Sequence, residues 1–467
     1  MKNFTKGPIL PQMLLFSLPL VFTNLLQVLF NLCDVAVVGR FAGSNALGSV
    51  GSSVILVQLF LAFIIGMSGS INVLTALHIG AKNKKELSET VHTSIIISFV
   101  EGVIILLIGV FFSPIILRLL GTKNELIEGA IIYARICSIG MPALGIYNWG
   151  NAILSAAGNT KKPLYFLTIS GVINIILNLF FVIICHLSVA GVALASVISQ
   201  YALAVMIIVT MLKEKQDFRL EIKKIRITKS KVPTITKLGI LSGFQSAVFH
   251  FANLFVQAGV NSFDAILVSG NSAATNADSI IFESMAAFNT AGATFIGQNY
   301  GARDKKRMRT SYLTSLFLSM GLGLLLGSLL LVFGREFLSL FSSEPAVIDA
   351  GLKRLNIMAL CYFLSALMDC TIAASRAIHK TGVPTFIVIM GSCVFRVLWV
   401  KTVFAFIGTI PSLYLLYPFS FIITGVAEIA YFVYCYKKLY FKSDSIINSH
   451  KSSFDMNGKP CFKEHLT

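Results

Sequence analysis

Apolar runs long enough to cross a bilayer recur along almost the whole chain, and this leaves very few folds open to it. Twelve can be read, at residues 13–37, 47–76, 90–112, 126–156, 164–185, 189–212, 235–261, 273–297, 311–333, 347–377, 384–407 and 413–437. Hydrocarbon offers the backbone no hydrogen-bond partner, so a segment crossing it must be a helix or part of a closed barrel. The runs are long and continuous, whereas a barrel needs short alternating segments. Composition agrees: 55% of residues are hydrophobic and 13% charged, with mean hydropathy +0.80, against about 25% charged in a soluble domain. The expected fold is an all-α integral membrane protein with twelve transmembrane helices. The start, MKNFTKGPILPQMLLFSLPL, lacks a small-residue cleavage site and reads as an uncleaved first span.

The net charge is +17, and its distribution matters more than its size. Lysine and arginine concentrate in the connections after even-numbered spans: AKNKKE, GNTKKP, KEKQDFRLEIKKIRITKSK, GARDKKRMR, SRAIHKTG and the YKKLYFK end. Arg118, Lys123, Arg335, Lys353 and Arg354 stand against the trend. The bias is that of positive-inside loops, so both termini are expected to be cytoplasmic and the chain multi-pass in the inner or plasma membrane. It also accounts for the basic character without nucleic acid. The eight cysteines are dispersed, with no CxxC pair, and read as small buried apolar residues.

A repeat is visible in the loops. GAKNKK begins at Gly80 and GARDKK at Gly301, a separation of 301 − 80 = 221. SAAGNTKKP begins at Ser155 and RAIHKTGVP at Arg376, again 221 apart, which lays Thr160 on Thr381 and Pro163 on Pro384. Both copies lie on the basic side, so the repeats are parallel, related by a pseudo-two-fold axis along the membrane normal. The expected organisation is a first lobe over residues 1–212 (spans 1–6), a basic cytoplasmic linker over 213–232, a second lobe over 233–440 (spans 7–12) and a polar cytoplasmic tail over 441–467. Two six-helix lobes around a central cleft are transporter architecture.

Within the first span, NLLQVLFNLCD places Asn24, Gln27, Asn31 and Asp34 on one narrow helical face. A carboxylate at mid-membrane costs about 2.5–3.5 kcal/mol, so Asp34 is expected to be protonated, cation-bound or in a wet cavity. Span five carries Asn174 and Asn178 four residues apart, and span six Ser196 and Gln200. Amide and hydroxyl oxygens with one carboxylate suit a hard cation such as Na⁺ or a proton relay, while the same amides can serve as interhelical glue. In the second half His250, Asn253, Gln257 and Asn261 share a face of span seven, and Asp278 and Glu283 follow in span eight. Arg396 and Lys401 enter span eleven, and Glu101 and Glu428 lie in spans three and twelve. Trp149 reads either as a stacking platform for a cationic ligand or as packing. No GxxxxGK[ST], HExxH or GxSxG occurs, which disfavours a nucleotide-driven pump and a membrane hydrolase.

These residues resemble the multidrug and toxic compound extrusion (MATE) transporters over roughly residues 8–440. The resemblance rests on LPLVFTNLLQVLFNLCDVAVVGRFAG, IGAKNKKE, FIGQNYGARDKK, AAGNTKKP, INIILNLFF with GVALASVISQ, and GSCVFRVLWV followed by LYPFSF. It implies drug efflux by Na⁺ or H⁺ antiport through two six-helix lobes. Its first-lobe cation site maps an acid onto Asp34, an Asn onto Asn174 and a hydroxyl onto Ser196. Asn178 stands where many members carry Asp, so the site keeps one carboxylate, suited to a proton or a weakly held, transient Na⁺ at Asp34, Asn174 and Asn178. The AAxxIE pattern of some members appears as AATNAD, with Asp278 at the acidic position.

The expected function is secondary active efflux of amphipathic, cationic small molecules in exchange for H⁺ or Na⁺, by a monomer that needs no cofactor beyond the coupling ion. The expected cleft is lined by Asn24, Gln27, Asn31, Gln200, His250, Asn253, Gln257, Asp278 and Glu283. A lipid-linked oligosaccharide flippase of the same superfamily is the alternative, and would want a strongly cationic cleft for a pyrophosphate. A polytopic membrane enzyme or sensor is a remote third.

Overall fold

The computed structural model describes residues 3–439, and no strand occurs among them. The first half comprises α1 (Ile9–Phe41), α2 (Ser44–Gly80), α3 (Lys84–Leu119), α4 (Asn124–Ile139), α5 (Met141–Ala156), α6 (Lys161–Leu179) and α7 (Ser188–Lys213). The second comprises α8 (Val232–Val260), α9 (Ala265–Gly301), α10 (Lys305–Ser339), α11 (Pro345–Met358), α12 (Tyr362–Ala377), α13 (Gly382–Ile407) and α14 (Ile410–Lys437). Each expected span corresponds to one helical segment, with two refinements. The spans expected at 126–156 and 347–377 are bent, α4 to α5 by 45° and α11 to α12 by 52°. At the first bend Pro142 has no N–H to give the preceding turn. The expected span at 273–297 is helical as part of α9 yet too polar to qualify as a bilayer-crossing segment by composition, unlike the other eleven. Its Asn271 and Thr294 are buried inside the protein, which is where intramembrane polar groups belong.

The 221-residue register runs through the backbone itself. Adding 221 to the bounds of α2 and α5 gives those of α9 and α12. The helix caps repeat: Asn83 accepts from the Glu86 N–H and Asp304 from the Arg307 N–H. The left-handed turn residues repeat as well, Lys82 (φ 53°) with Arg303 (φ 60°), and Gly158 (φ 85°) with His379 (φ 62°). The two halves are therefore pseudo-two-fold copies, as the loop motifs indicate.

The copies meet on the face that carries the basic connections. There α2 and α9 cross backbone to backbone. A Cβ on Gly80 would lie 1.8 Å from the Gln298 carbonyl oxygen, and a Cβ on Gly301 would lie 2.1 Å from the Leu77 carbonyl oxygen. Gln298 is Leu77 shifted by 221, so the contact is self-complementary about the pseudo-axis. Hydrogen bonds join the halves nearby: Thr294 to Asn72 (3.1 Å), Gln298 to the Ala156 carbonyl (2.9 Å) and Asn24 to the Glu283 carbonyl (2.8 Å). The segment before α1 seals the same seam. Phe4 stacks on Phe295 at 4.0 Å and meets Phe16 edge-on at 5.4 Å, while Arg307 donates to the carbonyls of Phe4 (2.9 Å) and Gly7 (3.0 Å). The basic linker lies against α3: Thr228 N–H reaches Thr93 at 3.1 Å, and Lys231 bridges Glu86. The expected tail at 441–467 falls outside the described residues.

Because the α2–α9 crossing leaves no room for a methyl group, Gly80→Ala or Gly301→Ala is expected to force the helices apart. Either should lower the thermal midpoint of the purified protein. Gly69→Ala, where a Cβ meets nothing within 4 Å, should leave it unchanged or raise it, since Ala gains about 0.5–1 kcal/mol over Gly in a helix.

Candidate functional site

Two small-residue contacts build the first-half site. Ser170 on α6 donates to the Ser199 carbonyl on α7 at 2.7 Å, which clamps the two helices. Gly171 leaves room for the Phe30 ring, 1.9 Å from where a Cβ would be, so α1 closes onto α6. One turn further along each helix come Asp34 and Asn174, and a further turn of α6 brings Asn178. Asn178 Nδ2 donates to Asp34 Oδ1 at 2.5 Å and to Asn174 Oδ1 at 3.1 Å. Ser196 Oγ donates to Asp34 Oδ2 at 3.3 Å, and Asn174 Nδ2 reaches Ser196 Oγ at 3.4 Å. Asn178 is 1% exposed and Asn174 6%, while Asp34 is half-buried. A π-helical turn, Phe180–Ile184, begins just beyond Asn178, a distortion found often at functional positions. Asn178 Oδ1 is buried with no hydrogen-bond partner among the described residues. The cluster thus offers one carboxylate, neutral oxygens and one unused acceptor. No group of three or more His, Cys, Asp or Glu suited to a metal occurs among the described residues.

The register carries the same four positions onto Phe255, Phe395, Trp399 and Tyr417 in the second half. There the polar site is replaced by aromatic rings, and two buried arginines lie among the residues around it. Arg354, 3% exposed, pairs with Asp278 and donates to Asn271 Oδ1 at 2.5 Å. Tyr362 donates to Asp278 Oδ1 at 2.5 Å, and Tyr414 to Asn271 Oδ1 at 2.8 Å. Arg396, fully buried, donates to Asn253 Oδ1 at 2.8 Å and to Ser420 Oγ at 3.1 Å. Its guanidinium sits 4.7 Å from the Phe249 ring centre and 4.8 Å from that of Tyr417.

A model of the MatE family matches residues 19–180 and 242–400, one stretch in each half. The chain belongs to the MATE family of multidrug efflux transporters. Among its relatives are two from Bacillus subtilis (strain 168), each named a probable multidrug resistance protein. YpnP is 29% identical over 362 residues, 77% of this chain and 80% of that one. YoeA is 27% identical over 447 residues, 93% and 96%. A solved structure described as the outward-facing conformation of a multidrug resistance MATE family transporter superposes with TM-score 0.86 at 19% identity, covering 94% of this chain and 98% of that one.

Within this MATE fold the remaining expected residues disperse. Asn24 faces the other half through Glu283, whose own carboxylate side is exposed; Gln27 is half-buried and Asn31 exposed. Gln200 packs over Gly140 at the α4–α5 bend, its Oε1 lying where a Cβ would be. It therefore stands at the bend, apart from the four-residue cluster. His250 is exposed, but Asn253 and Gln257 on the same face turn into their own half, Gln257 Oε1 accepting from Asn271 at 3.4 Å. Lys401 is exposed, unlike Arg396. Glu101 and Glu428 are buried, and neither carboxylate has a hydrogen-bond partner. Trp149 is fully buried with its N–H on Ser94 Oγ at 2.9 Å, so it packs the first-half core and presents no stacking face. Arg354 is the main residue that sequence reading misplaced: grouped with loop charges, it lies inside α11 as the partner of Asp278. Its position inside the 347–377 apolar run was the available signal.

Removing one member of the buried Asp278–Arg354 pair leaves the other uncompensated, a loss of about 3–5 kcal/mol. Asp278→Asn is expected to lower the thermal midpoint sharply. Asp278→Leu combined with Arg354→Met should recover most of that loss; a double variant as unstable as the single would show that the pair is not the source.

Proposed function

We propose that this MATE protein is a secondary antiporter, exporting amphipathic cationic compounds across the cell membrane in exchange for H⁺ or Na⁺ entering through the first half. The supporting observation is the Asp34 cluster: a lone carboxylate held by Asn178 and Ser196, beside a buried carbonyl oxygen without a partner. Ionised, Asp34 attracts a cation. A proton on the carboxylate, or Na⁺ shared with Asn178 Oδ1 and Asn174, cancels that attraction and releases a cationic drug. The two donated hydrogen bonds hold the carboxylate in place between these events. The positive-inside bias of the connections supports a cytoplasmic position for both termini, and with it a cytoplasmic position for the sealed seam. Alternating access then consists of rocking the two copies so that the α2–α9 crossing parts on the sealed side.

The energetics suffice. A membrane potential of 100 mV supplies about 2.3 kcal/mol per charge and a tenfold ion gradient about 1.4 kcal/mol, enough for a drug gradient of several hundred-fold at one charge exchanged. Export of an amphipathic cation is favoured over flipping of a pyrophosphate-linked lipid because the buried arginines are already engaged, Arg354 by Asp278 and Arg396 by Asn253, Ser420 and aromatic rings.

Dye efflux from proteoliposomes under ΔpH alone or a Na⁺ gradient alone tests the reading. Asp34→Asn is expected to fold and to retain dye binding while losing gradient-driven efflux at least about tenfold; efflux at the normal rate removes Asp34 from the coupling step. Asn178→Asp adds a second carboxylate to the same oxygens, and should raise the Na⁺-driven share of efflux relative to the proton-driven share.

A further inference from the structure

At the basic end of α10, between it, the first turn of α1 and the end of α14, lies an open groove of about 690 Å³. Leu10, Leu313, Phe317 and Leu318 line its deeper part, and Lys306 and Arg309 stand at its rim. Four cations crowd the start of α10, and two of them are committed elsewhere. Lys305 donates to the Leu439 carbonyl at 2.8 Å and lies 5.1 Å from the Tyr436 ring centre; Arg307 binds Phe4 and Gly7. Lys306 and Arg309 are exposed, their side chains make no hydrogen bond or ion pair among the described residues, and no acidic residue lines the groove.

The other half shows that this face is normally covered. The positions equivalent to Leu313 and Thr314 are His92 and Thr93 on α3. The linker lies over both: Glu221 N–H donates to His92 Nε2 at 3.0 Å and Thr228 N–H to Thr93 Oγ1 at 3.1 Å. Among the described residues no segment takes the linker's place over α10. Phe317, 66% exposed, and Leu10, 52% exposed, are left bare.

We propose that this groove binds an anionic phospholipid, its phosphate on Lys306 and Arg309 and an acyl chain along Leu313, Phe317 and Leu10. Depth fits: Lys306 and Phe317 are about 16 Å apart along the helix, the distance from headgroup level into the acyl region. Charge fits, since two unpaired cations face a surface without acids. Because Leu10 belongs to the first half and α10 to the second, the bound lipid braces the halves together at the basic face.

The test needs no transport. The purified full chain is titrated with phosphatidylglycerol and, separately, phosphatidylcholine, and lipid adducts are counted by native mass spectrometry. Thermal midpoints are read in vesicles of either lipid. Phosphatidylglycerol is expected to bind preferentially and to raise the midpoint. Lys306→Gln with Arg309→Gln should weaken that binding about 30-fold with the midpoint in phosphatidylcholine unchanged. Lys82→Gln with Lys85→Gln, which removes the same charge from the same face, should weaken it little. Equal losses in both double variants, or no preference for phosphatidylglycerol in the unaltered chain, would overturn the site.

Discussion

A polar side chain inside hydrocarbon must find its partner within its own bundle, and the rest of this structure follows from that demand. The backbone meets it by being helical. The side chains meet it by pairing across helices: Asp34 with Asn178 and Ser196, Arg354 with Asp278, Arg396 with Asn253 and Ser420. Each pairing costs desolvation, which the partner's hydrogen bonds offset.

Duplication makes two near-equivalent copies, and divergence gives them different work. The first half keeps a polar cluster with a spare acceptor, Asn178 Oδ1. The second half fills the same register with Phe255, Phe395, Trp399 and Tyr417, and its buried Arg354 and Arg396 are engaged by Asp278 and by Asn253 and Ser420. The reciprocal glycine contacts of α2 and α9 join these asymmetric halves at one self-complementary crossing.

The lobes differ in their covering too. The linker lies over the outer face of α3, whereas no described residue lies over the equivalent face of α10, where Lys306 and Arg309 are exposed. Sealing of the basic face rests on the α2–α9 crossing and on the Phe4–Phe16–Phe295 stack, both of which join the first half to the second.

Periodicity and charge along the chain were enough to establish helices, their number and the parallel repeat, because each depends on local hydropathy or on spacing within one segment. The 221-residue register is legible for the same reason: the loop motifs GAKNKK and GARDKK carry it without any contact. Spacing likewise put Asn174 and Asn178 on one face. What no spacing contains is which face meets which. That Arg354 lies against Asp278, that Gln200 packs at a bend, that Trp149 is sealed in a core, and that Asn253 turns inward to Arg396 were decided by helices distant in sequence coming together. Hydropathy is a property of one helix, while the partner of a buried charge is a property of two, and only the tertiary structure chooses the second.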